Sequence, residues 1–397
     1  MNTSSHNSES LTGELRNIQE AVRNEGLDGW LFCNFRRRDV ISDAVLHIPV
    51  ESSNSRMWVY AVPALGDPLK IVHAIEKDIL DHLAGTKVTY ISREEFINAL
   101  KPLAGKKWGV HSSENLPSVS YLSEGTARVF EKAGLILKSA ESLIQRFAGL
   151  LDKAGIESHE KAAKDLYEIV ELAWERLKKR YKDKTPLYEE EIRRLMLEEF
   201  NRRNLITHHP PMVCFGENTA NPHYDFSGQG KLLRDGDTVQ FDLWAKEKEG
   251  KTIYADISWA GVASSYPRSK EEKVFSDLIS VRENTYRFIE QEFSAMRPIT
   301  GAMVDLYARK QLNDLGYRSE IKHRTGHGID TECHGSGVNM DCIEFPDERF
   351  ILEGSCFSLE PGLYFSDFGF RTEINVYISD GKPVISGKNR QYELLSC

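Results

Sequence analysis

Four acids and one histidine stand on segments that otherwise read as apolar strand: Asp242, Asp256, His327, Glu360 and Glu373. An acid inside such a strand must shed its hydration, which is costly unless a partner or a cation compensates. Four together repel one another too strongly to stay ionised without a positive centre between them. Few cations share their strand faces, so buried ion pairing does not account for them. The pattern is that of a metal site. Its oxygen donors and single imidazole suit Mn²⁺ first and also admit Co²⁺, Zn²⁺ or Fe²⁺.

The elements that must position these groups can be read from periodicity. Thr238-Val-Gln-Phe-Asp-Leu-Trp-Ala245 and Thr252-Ile-Tyr-Ala-Asp-Ile-Ser-Trp259 are β-prone runs joined by the charged tip Lys246-Glu-Lys-Glu-Gly-Lys251, a hairpin signal. Alternation puts Asp242 on a face with Gln240 and Trp244, and Asp256 on one with Tyr254 and Ser258, so both acids look into one cleft. A second hairpin is expected from Ser355-Cys-Phe-Ser-Leu-Glu-Pro-Gly-Leu-Tyr364 and Phe370-Arg-Thr-Glu-Ile-Asn-Val376. Glu360 precedes Pro361-Gly362, which stops the strand, and Glu373 shares its face with Arg371 and Asn375. Between the hairpins lies His323-Arg-Thr-Gly-His-Gly-Ile329, whose glycines are expected to let the backbone approach a ligand and leave the His327 imidazole clear. Arg371 is placed to hold either a ligand carboxylate or a substrate carboxylate. His6, His47, His73, His82, His111 and His159 lack a carboxylate context and read as folding residues. His208, His209 and His323 read as structural or rim residues.

That ordered set, with Asn221-Pro-His-Tyr224, His323-Arg-Thr-Gly-His-Gly328 and Leu359-Glu-Pro-Gly362, resembles the creatinase, prolidase and aminopeptidase P family of metallopeptidases (M24) over most of the chain. The resemblance implies an α/β N-terminal domain followed by an α+β catalytic domain of the "pita-bread" fold holding two divalent metals, in a homodimer. It implies that Asp242 binds one metal, His327 and Glu360 the other, and that Asp256 and Glu373 bridge them. It makes His223 and His334 the pocket histidines that hydrogen-bond the substrate carbonyl and the tetrahedral intermediate. Two positions depart from the pattern: Asp330 stands where relatives often carry glycine, and Gly335 follows His334 where many prolidases carry glutamate.

Two metals about 3.5–4 Å apart would acidify a bridging water to a hydroxide that attacks the scissile carbonyl. Glu360 is the candidate to take its proton and pass it to the leaving nitrogen. His223 and His334 would steady the oxyanion, where one preorganised donor is worth roughly 3 kcal/mol. The expected activity is that of an Xaa-Pro dipeptidase. Aminopeptidase P activity on longer peptides is the alternative, and a catalytically silent binding protein of the same fold stands behind both. Methionine aminopeptidases usually lack so large an N-terminal domain, and creatinase-like amidinohydrolases lack the complete ligand set.

At 397 residues the chain exceeds one ordinary domain, and a break is expected near Asp152-Lys-Ala-Gly-Ile156, dividing it into 1–152 and 153–397. Strand-like runs at 28–34, 57–62, 69–75, 87–91 and 135–138 interleave with helix-like runs at 77–83, 94–103, 124–132 and 141–151, which argues for an α/β domain. Beyond the break, Ser158 is expected to cap a long helix through 179, and Thr185-Pro186 to open a second. The net charge of −9 opposes nucleic-acid binding. No apolar run reaches the roughly 20 residues that span a bilayer. The polar start, residues 1–10, has neither a basic nor an apolar leader segment, so the expected compartment is the cytoplasm. Cys33, Cys214, Cys333, Cys342, Cys356 and Cys397 show no paired spacing and read as free thiols, with thiolate-bound zinc disfavoured.

Overall fold

The computed structural model describes residues 3–387 and 389–397; the side chains of 3–12, His6 among them, lie outside what is described. The chain parts into two compact units, Met1–Ala148 and Gly149–Cys397. Leu150 bridges to Ser355 and the Leu151 N–H donates to the Gly354 carbonyl (2.8 Å), so the residues just before Asp152 already belong to the second unit.

In the first unit, six strands form one mixed sheet: β1 (Gly29–Asn34), β2 (Trp58–Pro63), β3 (Leu69–His73), β4 (Thr86–Tyr90), β5 (Lys107–Val110) and β6 (Ile136–Ser139), in the order β4-β3-β2-β1-β5-β6. Alternation sends Trp30, Phe32, Trp58, Tyr60 and Val62 to one face, under helices α1 (Thr3–Asn24), α2 (Val40–Val45) and later α5. Leu31, Val59, Ala61, Ile71 and Trp108 fill the other face, under α3 (Arg93–Leu100) and α4 (Glu124–Lys132). Helix α5 (Glu141–Ala148) ends the unit. The helix expected over 77–83 is instead a run of tight turns, with i→i+3 bonds from Ile79 to Glu76, Asp81 to Asp78 and Leu83 to Leu80. The Lys70 ammonium donates to the Leu83 carbonyl at the end of this run (2.8 Å). His111 also departs from expectation. It sits buried against a carboxylate, with Nδ1 2.7 Å from Asp39 Oδ2, while its Nε2 accepts from the Trp30 indole (3.1 Å).

The second unit opens with α6 (Lys153–Lys182), capped by Asp152, whose carboxylate accepts from the Gly155 N–H. Ser158, the expected cap, lies inside the helix, where its hydroxyl accepts from the Ile253 N–H (3.2 Å). Helix α7 (Glu189–Arg202) starts three residues past Pro186, because Leu187 and Tyr188 stay extended to pair with Leu233 and Leu232. Strands β7 (Leu205–Ile206), β8 (Met212–Phe215), β9 (Thr238–Glu247) and β10 (Ala255–Val262) follow. β9 pairs with β7, β8 and β10, so Lys246 and Glu247, expected in the hairpin tip, belong to the strand. Helices α8 (Ser269–Ser294) and α9 (Gly301–Asp314) precede the second hairpin region. There the ladder is split: β11 (Cys356–Leu359) pairs with β14 (Ile374–Ser379), and β12 (Gly362–Tyr364) with β13 (Gly369–Arg371). β15 (Lys382–Ile385) and β16 (Leu395–Ser396) complete the unit, on β14 and β10. Val239, Phe241 and Leu243 of β9 pack with Ala162, Leu166 and Ile169 of α6 and Ile192 and Met196 of α7. The opposite face of β9 and β10, the polar one, is left for chemistry.

Candidate metal centre

Register brings the acids together. In the β9–β10 ladder Asp242 stands opposite Ser258 and Asp256 opposite Trp244, and opposed residues of an antiparallel pair share a face. Glu360 and Glu373 occupy the gap between the two ladders of the split hairpin, where the backbone leaves regular pairing and the side chains turn into the cleft. The two sheets are stitched by side chains: the Asp256 N–H donates to Asn375 Oδ1 (2.8 Å) and the Arg371 N–H to Gln240 Oε1 (2.9 Å).

His327 arrives on a segment laid against β11. Its carbonyl accepts from the Ser358 N–H (2.9 Å), and its own N–H donates to Ser358 Oγ (3.0 Å). The flanking glycines serve this packing rather than a ligand. A Cβ on Gly326 would lie 2.0 Å from the Ser358 carbonyl, and one on Gly328 would lie 2.6 Å from the Gly337 backbone.

Among the described residues, three groups of donor atoms have all members within 4.8 Å of one another: Asp242 with Asp256 and Glu373; His327 with Glu360 and Glu373; and Asp256 with His327 and Cys333. His327 Nε2 is 3.6 Å from Asp256 Oδ2 and 3.5 Å from Glu360 Oε1. The Ser258 hydroxyl lies 2.5 Å from Asp242 Oδ1 and 2.9 Å from Glu373 Oε2, and it has one proton for two carboxylates. Among the described residues, Asp256 Oδ1 and Glu373 Oε1 are buried without any partner. Such orphans are costly unless something positive meets them.

Among the described residues, one guanidinium enters the cluster. Arg371 Nη2 pairs with Asp242 Oδ2, its Nε donates to Ser258 Oγ (3.0 Å), and Glu360 Oε2 is 3.8 Å away. One cation cannot neutralise four carboxylates, and the acids respond accordingly. Burial, with Asp256 and Glu360 adding to it, pushes Asp242 up to about 6 despite Arg371. Burial and the neighbouring Glu360 raise Asp256 to about 6 as well. Glu373 is driven well above the usual carboxylate range by burial and by three acidic neighbours. Glu360 alone goes the other way: burial pushes it up, but His327, His323 and Arg371 outweigh burial and hold it below its ordinary value. The donor set therefore fits a pair of divalent cations.

Of the two expected pocket histidines, His334 is exposed with its ring 4.2 Å from that of His327, whose proximity, helped by partial desolvation, pushes it down to about 4. His223 is exposed too, on the loop whose Pro222 carbonyl accepts from Arg371 Nη1 (3.4 Å). That loop is organised by Glu189, an acid that periodicity places in an ordinary first helical turn. Its buried carboxylate accepts from the Phe215 and Lys231 N–H groups, the Asn218 amide and the Tyr224 hydroxyl. His323 is half-buried, its Nε2 2.9 Å from the Tyr364 hydroxyl. His208 is exposed, 3.4 Å from Glu332. Ser258, Tyr364, Cys333 and Glu189 carried no signal of their own in the sequence, since each is a common residue whose neighbours are distant in the chain.

The family model of the M24 metallopeptidases matches residues 157–380, more than half of the chain. The chain belongs to metallopeptidase family M24. An Xaa-Pro dipeptidase from Lactobacillus delbrueckii subsp. lactis is 31% identical over 187 residues, 46% of this chain and 46% of that protein. The M24 chain thus matches these curated relatives over about half of their length. Among solved structures, it is similar to dipeptidase PepE from Mycobacterium ulcerans (TM-score 0.70, 21% identity, 97% of each chain). It is also similar to recombinant prolidase from Thermococcus sibiricus (TM-score 0.66, 22% identity, 96% of this chain and 98% of that one). The same fold recurs in the N-terminal domain of the FACT complex subunit SPT16 from Cicer arietinum (TM-score 0.68, 12% identity, 97% of each chain). The fold is thus an α/β unit followed by the α+β pita-bread unit of M24.

Asp330 and Gly335, the two positions set apart in the sequence, form one feature. Asp330 is buried, and its carboxylate accepts from the Glu332 N–H (2.8 Å) and the Ser336 N–H (2.6 Å). A Cβ on Gly335 would lie 2.4 Å from that carboxylate. The acid at 330 fills the space that a side chain at 335 would need. Among the described residues, no helix is long and apolar enough to cross a membrane.

Proposed function

We propose that this M24 chain hydrolyses the Xaa-Pro bond of proline-containing dipeptides, with two divalent cations, Mn²⁺ first, held by Asp242, Asp256, His327, Glu360 and Glu373. The observation that carries the reading is the convergence of four carboxylates and an imidazole on one cleft, with Asp256 Oδ1 and Glu373 Oε1 buried and unpartnered. When bound, the cations supply a water made acidic enough to serve as nucleophile near neutral pH and polarise the carbonyl under attack.

The protein's own groups supply the rest. Asp256 and Glu373 each share one donor group with Asp242 and another with His327, which suits them to link the two positions. Glu360 is the acid held below its ordinary pKa, so it stays ionised to accept the water proton and deliver it to the leaving nitrogen. His334, neutral at pH 7, retains one ring N–H to donate to the developing oxyanion, and His223, on the Pro222 loop, supplies a second donor. Arg371 acts as a positioning residue: its guanidinium is committed to Asp242 and Ser258, which favours orienting a ligand carboxylate over gripping a substrate carboxylate.

A soluble cytoplasmic homodimer acting on small peptides completes the proposal. The test is a metal-reconstituted assay comparing an Xaa-Pro dipeptide with an Xaa-Pro-Yaa tripeptide. The dipeptide should be the better substrate by kcat/KM. Preference for the tripeptide would make this an aminopeptidase P, and turnover of neither with Mn²⁺ bound would make it a binding protein.

A further inference from the structure

Cys333 does not belong to the five-residue donor set, yet it faces it. Its side chain is buried, and its Sγ donates to Asp256 Oδ2 at 3.1 Å. The same oxygen lies 3.6 Å from His327 Nε2, and the sulfur, the oxygen and the ring nitrogen are mutually within 4.8 Å. Sulfur and oxygen donors sharing one tetrahedral zinc-type ion sit about 3.5 Å apart, given metal–sulfur and metal–oxygen bonds of roughly 2.3 and 2.1 Å. With the sulfur 3.1 Å and the ring nitrogen 3.6 Å from Asp256 Oδ2, and all members of the group within 4.8 Å, the three are close enough to share a single ion. Asp256 supplies the second, independent pointer, because its other oxygen is buried and has no hydrogen-bond partner.

The local backbone is built to present that thiol. Asp330 receives the N–H groups of Glu332 and Ser336, clamping the chain on both sides of Cys333. The Asp330 carbonyl accepts from the Tyr254 N–H (3.0 Å), two residues before Asp256, and the Gly335 N–H donates to the Gly328 carbonyl (2.8 Å), one residue past His327. The clamp thus fixes the sulfur relative to both of its neighbours in the donor group.

Resting on the two-cation reading above, we infer that Cys333 is a further ligand to the cation on the His327 side, giving that position a soft donor and a preference for thiophilic ions such as Zn²⁺, Cd²⁺ or Co²⁺ over Mn²⁺. On binding, the sulfur–metal bond replaces the S–H bond, and the proton now shared with Asp256 leaves to solvent. The other position, with carboxylates alone, remains a hard site.

The experiment uses the full chain reconstituted with Co²⁺, in wild-type form and as Cys333→Ser and Cys333→Val. Metal analysis counts bound ions, and near-ultraviolet absorption reports thiolate-to-cobalt charge transfer. Wild type should bind two cobalt ions and show the band; both variants should lose it, and their Cd²⁺ affinity at one of two positions should fall about tenfold or more while Mn²⁺ affinity holds. Two bound cobalt ions without the band, or a band that survives both substitutions, would overturn the thiolate ligand and leave the two-cation reading standing. Failure of wild type to bind cobalt at all would overturn both.

Discussion

Each unit buries an acid against an imidazole, and the two clusters are opposites. In the first unit Asp39 meets His111, and the pair is closed: Asp39 Oδ1 accepts from the Ser42 N–H, Oδ2 from the Ser42 hydroxyl (2.6 Å) and His111 (2.7 Å), and His111 Nε2 from Trp30. In the second unit four acids crowd His327 and the Arg371 guanidinium, and among the described residues Asp256 Oδ1 and Glu373 Oε1 have no partner. A closed network specifies a fold, whereas an open one, which cannot be satisfied by the protein alone, marks a place for a ligand. Burial of an acid beside a histidine is therefore uninformative until the lone pairs are accounted for.

The contrast can be broken most severely at His327. Replacing it with alanine should remove one cation per chain and lower dipeptide turnover by at least ~10²-fold, with the circular dichroism spectrum unchanged. Full metal content in that variant would contradict its place in the site. His111→Ala should do the reverse: Asp39 loses one of its partners and the Trp30 indole its acceptor, costing about 2–3 kcal/mol of stability, read from chemical denaturation, with metal stoichiometry unaltered. A loss of bound metal there would erase the distinction between the clusters.

A pH series sharpens the same comparison. Asp242 and Asp256 have folded-state pKa values raised to about 6, so the metal-free folded chain holds their protons more tightly than the unfolded chain does. Their contribution to stability is fully present below the ordinary carboxylate value and is lost as pH rises through 6. Added Mn²⁺ should therefore raise the urea midpoint more at pH 7.5 than at pH 5. An equal increment at both pH values would argue against cations replacing protons on these acids.

The smallest effect belongs to the Asp330 clamp. Gly335→Ala places a methyl against the Asp330 carboxylate and should destabilise by about 1–3 kcal/mol. Adding Asp330→Gly should recover part of that loss, a coupling that a double-mutant cycle measures. Strict additivity would mean that the two positions are independent departures.

Much of this was legible in the chain. Acids on strand-like segments, histidine between glycines and the Glu-Pro-Gly stop pointed to the donor set and the family, and alternation put Asp242 and Asp256 on faces looking into one cleft. Helix starts were less legible. Pro186 and Ser158 carry good local signals, but Leu187 and Tyr188 are held extended by Leu232 and Leu233, and Asp152 caps α6 first. Local propensity is worth tenths of a kcal/mol to about 1 kcal/mol, and one tertiary ladder overrides it.

Residue type and order alone determined that a cluster of carboxylates must find positive charge, because the cost of burying an ionised acid is a property of the acid. Only the folded chain decided which neighbours answer that demand. Ser258, Arg371 and Cys333 reach the cluster from three separate segments, and the Asp330 carboxylate takes the room left by Gly335. Distances of a few ångströms between residues far apart in sequence are set by register and packing, and no window along the chain contains them.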